Sequence, residues 1–130
     1  MNNNTKLVLS ILPDKIGICH LDKSSPIPDW AQGDSNFTSV TRTMNELSII
    51  LPQEKIPAGI LAEMDWRIFK VQGPLGFSLT GIVASLAKPL AEADISIFYI
   101  DTYETSYLLV EDKNLAKAKE ILSKFCDIKE

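Results

Sequence analysis

Between residues 79 and 90 the chain carries Leu79, Ile82, Val83, Leu86 and Leu90 at spacings of three and four. That period gathers the apolar groups on one stripe of an α-helix over Ser78 to Ala93, and such a stripe has to be buried against a second layer. Strand-like runs flank it: Trp66 to Val71 before, ending at Gly73-Pro74, then Ile95 to Ile100 and Ser106 to Val110 around a turn near Thr102-Tyr103-Glu104. Ser78 or Thr80 can cap the helix start by accepting a bond from an unpaired backbone N–H. Pro89 lies inside the pattern and removes one helical hydrogen bond, which predicts a kink or a late irregularity. Asp112 is placed to cap a last helix whose apolar face is Leu115, Ala118, Ile121, Leu122 and Phe125. The order is strand, helix, strand, strand, helix.

The first half has strands but little room for helices. Leu7 to Leu12 is stopped by Pro13-Asp14, and Lys15 to Leu21 follows, so the pair reads as a hairpin. Asp22 to Asn36, with Pro26, Pro28 and Gly33, reads as a loop with one helical turn around Asp29-Trp30-Ala31. Phe37 to Thr43 and Glu46 to Leu51 are strands across Met44-Asn45, and Gln53 to Gly59 is too broken for a long helix. The chain therefore looks like two copies of a βαββαβ plan, the first with reduced helices. The second stops at Glu130 short of its last strand. An open sheet edge invites association, so the strand Leu7 to Ile11 is expected to fill that place and tie the halves together.

A length of 130 residues suits one compact domain or two very small ones sharing a core. The 45% apolar and 23% charged residues are the balance of an ordinary globular protein. The net charge is −4, and Lys113, Lys117, Lys119 and Lys124 are interleaved with Glu111, Asp112, Glu120 and Asp127. A nucleic-acid partner is not expected, because displacing counterions from phosphates needs an excess of Lys and Arg. No run approaches the roughly 20 apolar residues that span a bilayer, and the polar Met1 to Asn4 does not resemble a secretion signal. Cys19 and Cys126 leave a disulfide open, but two ordinary thiols in a cytoplasmic setting fit better.

Catalytic chemistry finds little footing. Cys19 and His20 would point to opposite faces of a strand, and there is no second His, so no metal site is expected. Asp14, Asp22, Asp29 and Asp34 lie in turns, where Asp bonds its own backbone. Gly73-Pro74-Leu75-Gly76 lacks the Gly-Lys-Ser/Thr ending of a phosphate loop. An acylphosphatase-like enzyme would need an Arg in a phosphate-cradling loop, and Arg42 and Arg67, the two arginines, do not sit in one. Trp66 reads as a core or interface anchor, and Trp30 as a candidate lid or partner contact. No enzyme activity and no cofactor are expected.

Three stretches carry a family resemblance: Val71-Gln72-Gly73-Pro74-Leu75-Gly76-Phe77, Thr80-Gly81-Ile82-Val83-Ala84, and Leu90 to Ile100 continuing through Asp101 to Val110. Together they resemble the ACT family, in particular the paired-ACT proteins related to the regulatory part of aspartate kinase. The two-unit plan is also similar to that of cytosolic arginine sensors. The resemblance implies an α+β, ferredoxin-like αβ sandwich of two ACT-type units sharing strands: a degenerate unit over 1–62, which fits loosely, and an ACT unit over 63–130. It further implies a homodimer and an amino acid or similar small metabolite as ligand.

Carried over by position, the ligand-binding residues are Gly73, Leu75, Gly76, Phe77, Ser78, Leu79, Thr80, Gly81 and Ile82, joined by Tyr99, Ile100, Asp101 and Thr102. The chemistry agrees. A helix N-terminus offers free N–H groups to a carboxylate, glycines let backbone approach closely, and Asp101 can receive an ammonium. The same residues also make a normal strand-to-helix turn with a normal cap. The chain departs from the arginine sensors at Leu79 and Ser106, where acidic residues are expected. That points to a smaller or less basic ligand, or to none. The expected function is a small-molecule-binding regulatory or sensing module without catalysis; its rival is an ACT scaffold that binds a partner and has lost its ligand site.

Overall fold

The structure, a computed structural model, describes residues 7–72 and 79–130. Contacts group the chain into two units, Asp14–Trp66 and Met1–Pro13 with Arg67–Glu130.

In the Asp14–Trp66 unit, β2 (Ile16–Leu21), β3 (Ser39–Arg42), β4 (Leu47–Pro52) and the first part of β5 (Leu61–Val71) pair antiparallel in the order β3-β4-β2-β5. Where a βαββαβ plan would place helices, the chain has single 3-10 turns, Asp29–Ala31 and Gln53–Lys55. Prolines explain the reduction: Pro28 precedes the first turn, and Pro52 and Pro57 bracket the second, leaving no run long enough for a helix. Alternation sends Cys19, Leu47, Ile49 and Leu51 to one face, which Ala31, Trp30, Ile56 and Ile60 cover. Trp30 is therefore a packing residue here. A Cβ at Gly17 would run into the Ile56 side chain, so glycine permits the close approach of that turn.

The sequence reading starts β5 at Trp66, but the strand begins at Leu61. A bulge hides its first half. Asp65 has φ 66°, the pairing with β2 slips between Ile16 and Ile18, and Glu63, Met64 and Asp65 all face outward. Gln53 holds the bulge, its Oε1 accepting from the Asp65 N–H at 2.6 Å and its Nε2 donating to Asp65 Oδ1 at 3.0 Å. The expected cut between residues 62 and 63 falls inside this strand.

The other unit contains β1 (Leu7–Ile11), the rest of β5, α1 (Leu79–Glu92), β6 (Ile97–Asp101), β7 (Ser106–Glu111), α2 (Leu115–Leu122) and β8 (Cys126–Lys129). Its strands run β6-β7-β5-β1-β8. The last strand, expected to be missing, is present as β8. The N-terminal strand lies beside it, inside the sheet: β1 pairs antiparallel with β5, Leu9 opposite Val71, and parallel with β8, Leu9 opposite Ile128. Only Cys126 and Ile128 of the four β8 residues are apolar, too short an alternation to stand out in the sequence.

Phe69, Val71, Leu108, Val110, Leu9 and Cys126 form one face of this sheet and bury Ile82, Leu86 and Leu90 of α1 with Ala118 and Leu122 of α2. The helix α1 runs through Pro89 and ends in a left-handed residue, Asp94, with φ 62°. The Asp94 N–H donates to the Ala91 carbonyl at 3.0 Å and the Ile95 N–H to that of Leu90 at 2.9 Å, the paired bonds that close a helix, with Leu90 and Ile95 in apolar contact beneath. Asp112, expected as the cap of the last helix, opens a 3-10 turn instead, and α2 starts three residues later behind Asn114. Its carboxylate receives Arg67 Nη1 at 3.3 Å. Among the described residues no helix is long and apolar enough to cross a membrane.

Because Leu9 is wholly buried in an interior strand, Leu9→Ala should cost about 2–5 kcal/mol. Urea unfolding should show a lower midpoint at unchanged slope. A loss below about 1 kcal/mol would contradict a core position for β1.

Candidate functional site

The hairpin β6–β7 turns over Thr102–Thr105, where the Thr102 N–H donates to the Thr105 carbonyl at 2.8 Å. The Thr102 hydroxyl donates to the same carbonyl at 3.2 Å and accepts from the Thr105 N–H at 3.3 Å. This closed turn sets the register, Asp101 opposite Ser106 and Tyr99 opposite Leu108. Side chains two apart on a strand share a face, so Tyr99, Asp101, Ser106 and Leu108 point the same way. It is the helix-covered face, since Leu108 belongs to the core and Tyr99 packs against it together with Ile82.

On this face the Ser106 hydroxyl, fully buried, donates to Asp101 Oδ1 at 2.5 Å, while Asp101 itself is exposed. The Tyr99 hydroxyl oxygen is buried and has no hydrogen-bond partner among the described residues. Burial pushes the Tyr99 phenol above its usual pKa; the nearby Ser106 side chain pulls it down, and the Asp101 carboxylate raises it again. Ser106 is thus close to the phenol. The cluster combines one exposed carboxylate, one hydroxyl already bound to it, and one buried hydroxyl. It suits a small polar group carrying hydrogens and offers no nucleophile–base pair.

The residues expected from the sequence separate here. Tyr99 and Asp101 come together, with Ile82 in the same apolar cluster as Tyr99. Ile100, one residue along the strand, points to the opposite face, and Thr102 is engaged in the turn. Leu79 and Thr80 open α1, and Gly81 is exposed in its first turn. Gly73, Leu75, Gly76, Phe77 and Ser78 lie outside the described residues. Two residues were not among those expected to bind. Ser106 enters because it faces Asp101 across the hairpin. Thr105, buried, donates its hydroxyl to the carbonyl of Val71 and so pins the turn to the end of β5. Neither pairing is readable before the register is known.

The remaining candidates resolve simply. Cys19 is buried and its thiol pKa is raised by burial, whereas His20 faces out toward Glu46, 3.9 Å away. Cys19 and Cys126 are both buried and form no disulfide. Among the described residues no three His, Cys, Asp or Glu side chains are grouped to hold a metal. Trp66 is a buried residue, 4% exposed. A shallow depression of about 360 Å³ lies in the Asp14–Trp66 unit. Its lining groups are bound to one another, Asn36 Nδ2 to Asp14 Oδ2 and Lys55 Nζ to the Asp34 carbonyl, each at 2.9 Å.

A model of the ACT domain matches residues 61–124, and a second, described as an N-terminal domain, matches residues 14–59. The chain is 39% identical over 109 residues to the human cytosolic arginine sensor for mTORC1 subunit 1, covering 78% of this chain and 32% of that protein. It therefore spans about a third of the length of that curated relative. A solved protein from Agobacterium tumefaciens is 36% identical with a TM-score of 0.88, over 97% of this chain and 96% of that one. The regulatory subunit of aspartate kinase from Thermus thermophilus, 13% identical, shares the fold at a TM-score of 0.57 over 88% of this chain and 95% of that one.

Two substitutions test this geometry. Thr105→Val leaves the Val71 carbonyl without its donor and should cost about 1–3 kcal/mol in urea unfolding, with Thr105→Ser close to wild type; equal stability of the two variants would contradict the clamp. Tyr99→Phe removes a buried hydroxyl that has no partner, so stability at neutral pH should be unchanged or rise by up to about 1 kcal/mol. Wild type should lose stability as pH climbs past the ordinary phenol value of 10.0, because the unfolded chain releases the Tyr99 proton first, and the variant should lose less. A drop of 1 kcal/mol or more at neutral pH, on the order of one lost hydrogen bond, would mean the hydroxyl is bound.

Proposed function

Because the chain belongs to the ACT domain family through residues 61–124, we propose that it is a regulatory module that binds an amino acid or a closely related metabolite and performs no chemistry on it. The observation that carries this reading is the Tyr99–Asp101–Ser106 cluster, a carboxylate and two hydroxyls gathered on the helix-covered face at the end of β6. Hydrogen bonding among the described residues leaves the Tyr99 hydroxyl without a partner, and a ligand at that place would supply one. The ligand's amino-acid core would meet Gly73, Leu75, Gly76, Phe77, Ser78, Leu79, Thr80 and Gly81 around the start of α1, where free backbone N–H groups favour a carboxylate. The similarity to a protein named as a cytosolic arginine sensor supports both the ligand class and a cytoplasmic setting.

In this reading the units over 1–62 and 63–130 act as a degenerate and a ligand-binding ACT unit, and the protein works as a homodimer. Supporting self-association, β6 pairs among the described residues with β7 alone, and Phe98 on it is 40% exposed. The rival reading, a partner-binding scaffold without ligand, draws on Ser106, whose hydroxyl is already engaged by Asp101.

Binding stabilises the folded state by mass action, about 2.7 kcal/mol at a ligand concentration of 100 Kd. Thermal unfolding measured against the twenty amino acids, each in the millimolar range, should show a rise of several degrees with one of them. Gly76→Trp should abolish the rise and Met44→Ala, 82% exposed in the other unit, should keep it. No shift with any amino acid would reject the ligand-binding reading in favour of the scaffold.

A further inference from the structure

The sheet of the Arg67–Glu130 unit runs β6-β7-β5-β1-β8, so among the described residues its two outer strands are β6 and β8. An outer strand presents backbone N–H and C=O groups to a second chain, and side-chain charge decides which chain it accepts. On β6 (Ile97–Asp101) the one charge is Asp101, with no cation to oppose it when two copies of that strand meet. That edge offers apolar surface at Phe98 but nothing to set a register. On β8 (Cys126–Lys129) the charges are two, of opposite sign. Parallel pairing with β1 sets Cys126 beside Leu7 and Ile128 beside Leu9, and both pack into the helix-covered core. Period-two alternation sends Asp127 and Lys129 to the other face, where both are exposed. Neither has an ion-pair partner among the described residues. Glu130, the next residue, is drawn away by an ion pair to Lys119 of α2.

Resting on the homodimer reading above, we infer that β8 is the surface on which the dimer forms: two copies of this chain pair their β8 strands antiparallel about a two-fold axis at Ile128. A two-fold contact has to be self-complementary, each residue meeting a partner that meets it in return. Centring the pair on Ile128 sets Asp127 opposite the partner's Lys129, and Lys129 opposite the partner's Asp127, in direct cross-strand register. Moving the centre one residue either way sets Asp127 against its own copy, or Lys129 against its own, and like charges repel. A centre between two residues would turn the core face of one sheet toward the solvent face of the other. One register therefore satisfies both face and charge. A lone lysine on an edge strand keeps second chains off; here the aspartate two residues away turns that guard into a match. In the same register the two Ile128 side chains meet at the axis on the helix-covered face, so the helices of both copies lie on one side of a joined sheet.

Sedimentation equilibrium of the full 130-residue chain over a concentration series should show a monomer–dimer equilibrium. Lys129→Glu gives the strand two acidic charges and Asp127→Lys gives it two basic ones, so each variant alone should dimerise at least about tenfold more weakly. Mixed in equal amounts, the two variants should recover the wild-type affinity, a rescue that a folding defect would not give. Exchanging the charges within one chain, Asp127→Lys with Lys129→Asp, should restore the dimer as well. Both positions are exposed, so the circular dichroism of each variant should match wild type. A dimer that withstands both charge reversals, or one that fails to return on mixing, would overturn the β8 contact and leave the homodimer standing. Loss of the dimer on Phe98→Lys, with the β8 variants unaffected, would move the contact to β6. A wild type that stays monomeric into the millimolar range would overturn both the homodimer and its surface.

Discussion

The strand Leu7–Ile11 inside the sheet is the feature on which the Arg67–Glu130 unit rests. In the order β6-β7-β5-β1-β8, strand β8 has β1 as its sheet neighbour and does not pair with β5. Removing β1 from that order would detach β8 from the sheet, and with it the anchoring of the segment that follows α2. Leu9 sits at the crossing point, opposite Val71 on one side and Ile128 on the other, fully buried under the helices. The pairing joins residues from opposite ends of the chain, so much of the loop-closure entropy must be met before this strand contributes stability. Burial of Leu9 with Phe69, Val71, Cys126 and both helices offsets it.

The helix-to-strand connection then decides where chemistry can sit. The closing motif at Leu90–Ile95 bends the chain back with an apolar contact beneath it, which aims β6 along the helix-covered face. The tight turn at Thr102–Thr105 fixes the return of β7, and Thr105 fastens that turn to the end of β5 through the Val71 carbonyl. A one-residue slip in this hairpin would move Ser106 to the other face, away from Asp101. The candidate site is thus a product of register. Its polar groups share a face because a backbone turn and a buried threonine leave no alternative alignment.

Much of this architecture was legible in the sequence, for identifiable reasons. The stripe from Ile82 to Leu90 marked α1 because a buried helix face needs that period. Prolines at 26, 28 and 57 foretold helices reduced to single turns, and strand alternation foretold that Cys19 and His20 would point to opposite faces. What misled was local irregularity. The bulge at Asp65 broke the alternation of β5 and hid its first five residues, while β8 was too short and too charged to register. Asp112, in cap position by sequence, found an arginine from β5 instead.

Taken alone, the sequence determined the kinds of element, their order, and the family resemblance carried by the residues from Val71 to Val110. These depend on periodicity and turn chemistry within a dozen neighbouring residues. Only the tertiary structure decided that the N-terminal strand lies between β5 and β8, that Ser106 faces Asp101, and that the Tyr99 hydroxyl is buried. Each is a pairing across the sheet or a consequence of one. Cross-strand pairing is set by which apolar faces can be buried together, a competition among distant segments that no local stretch of residues records.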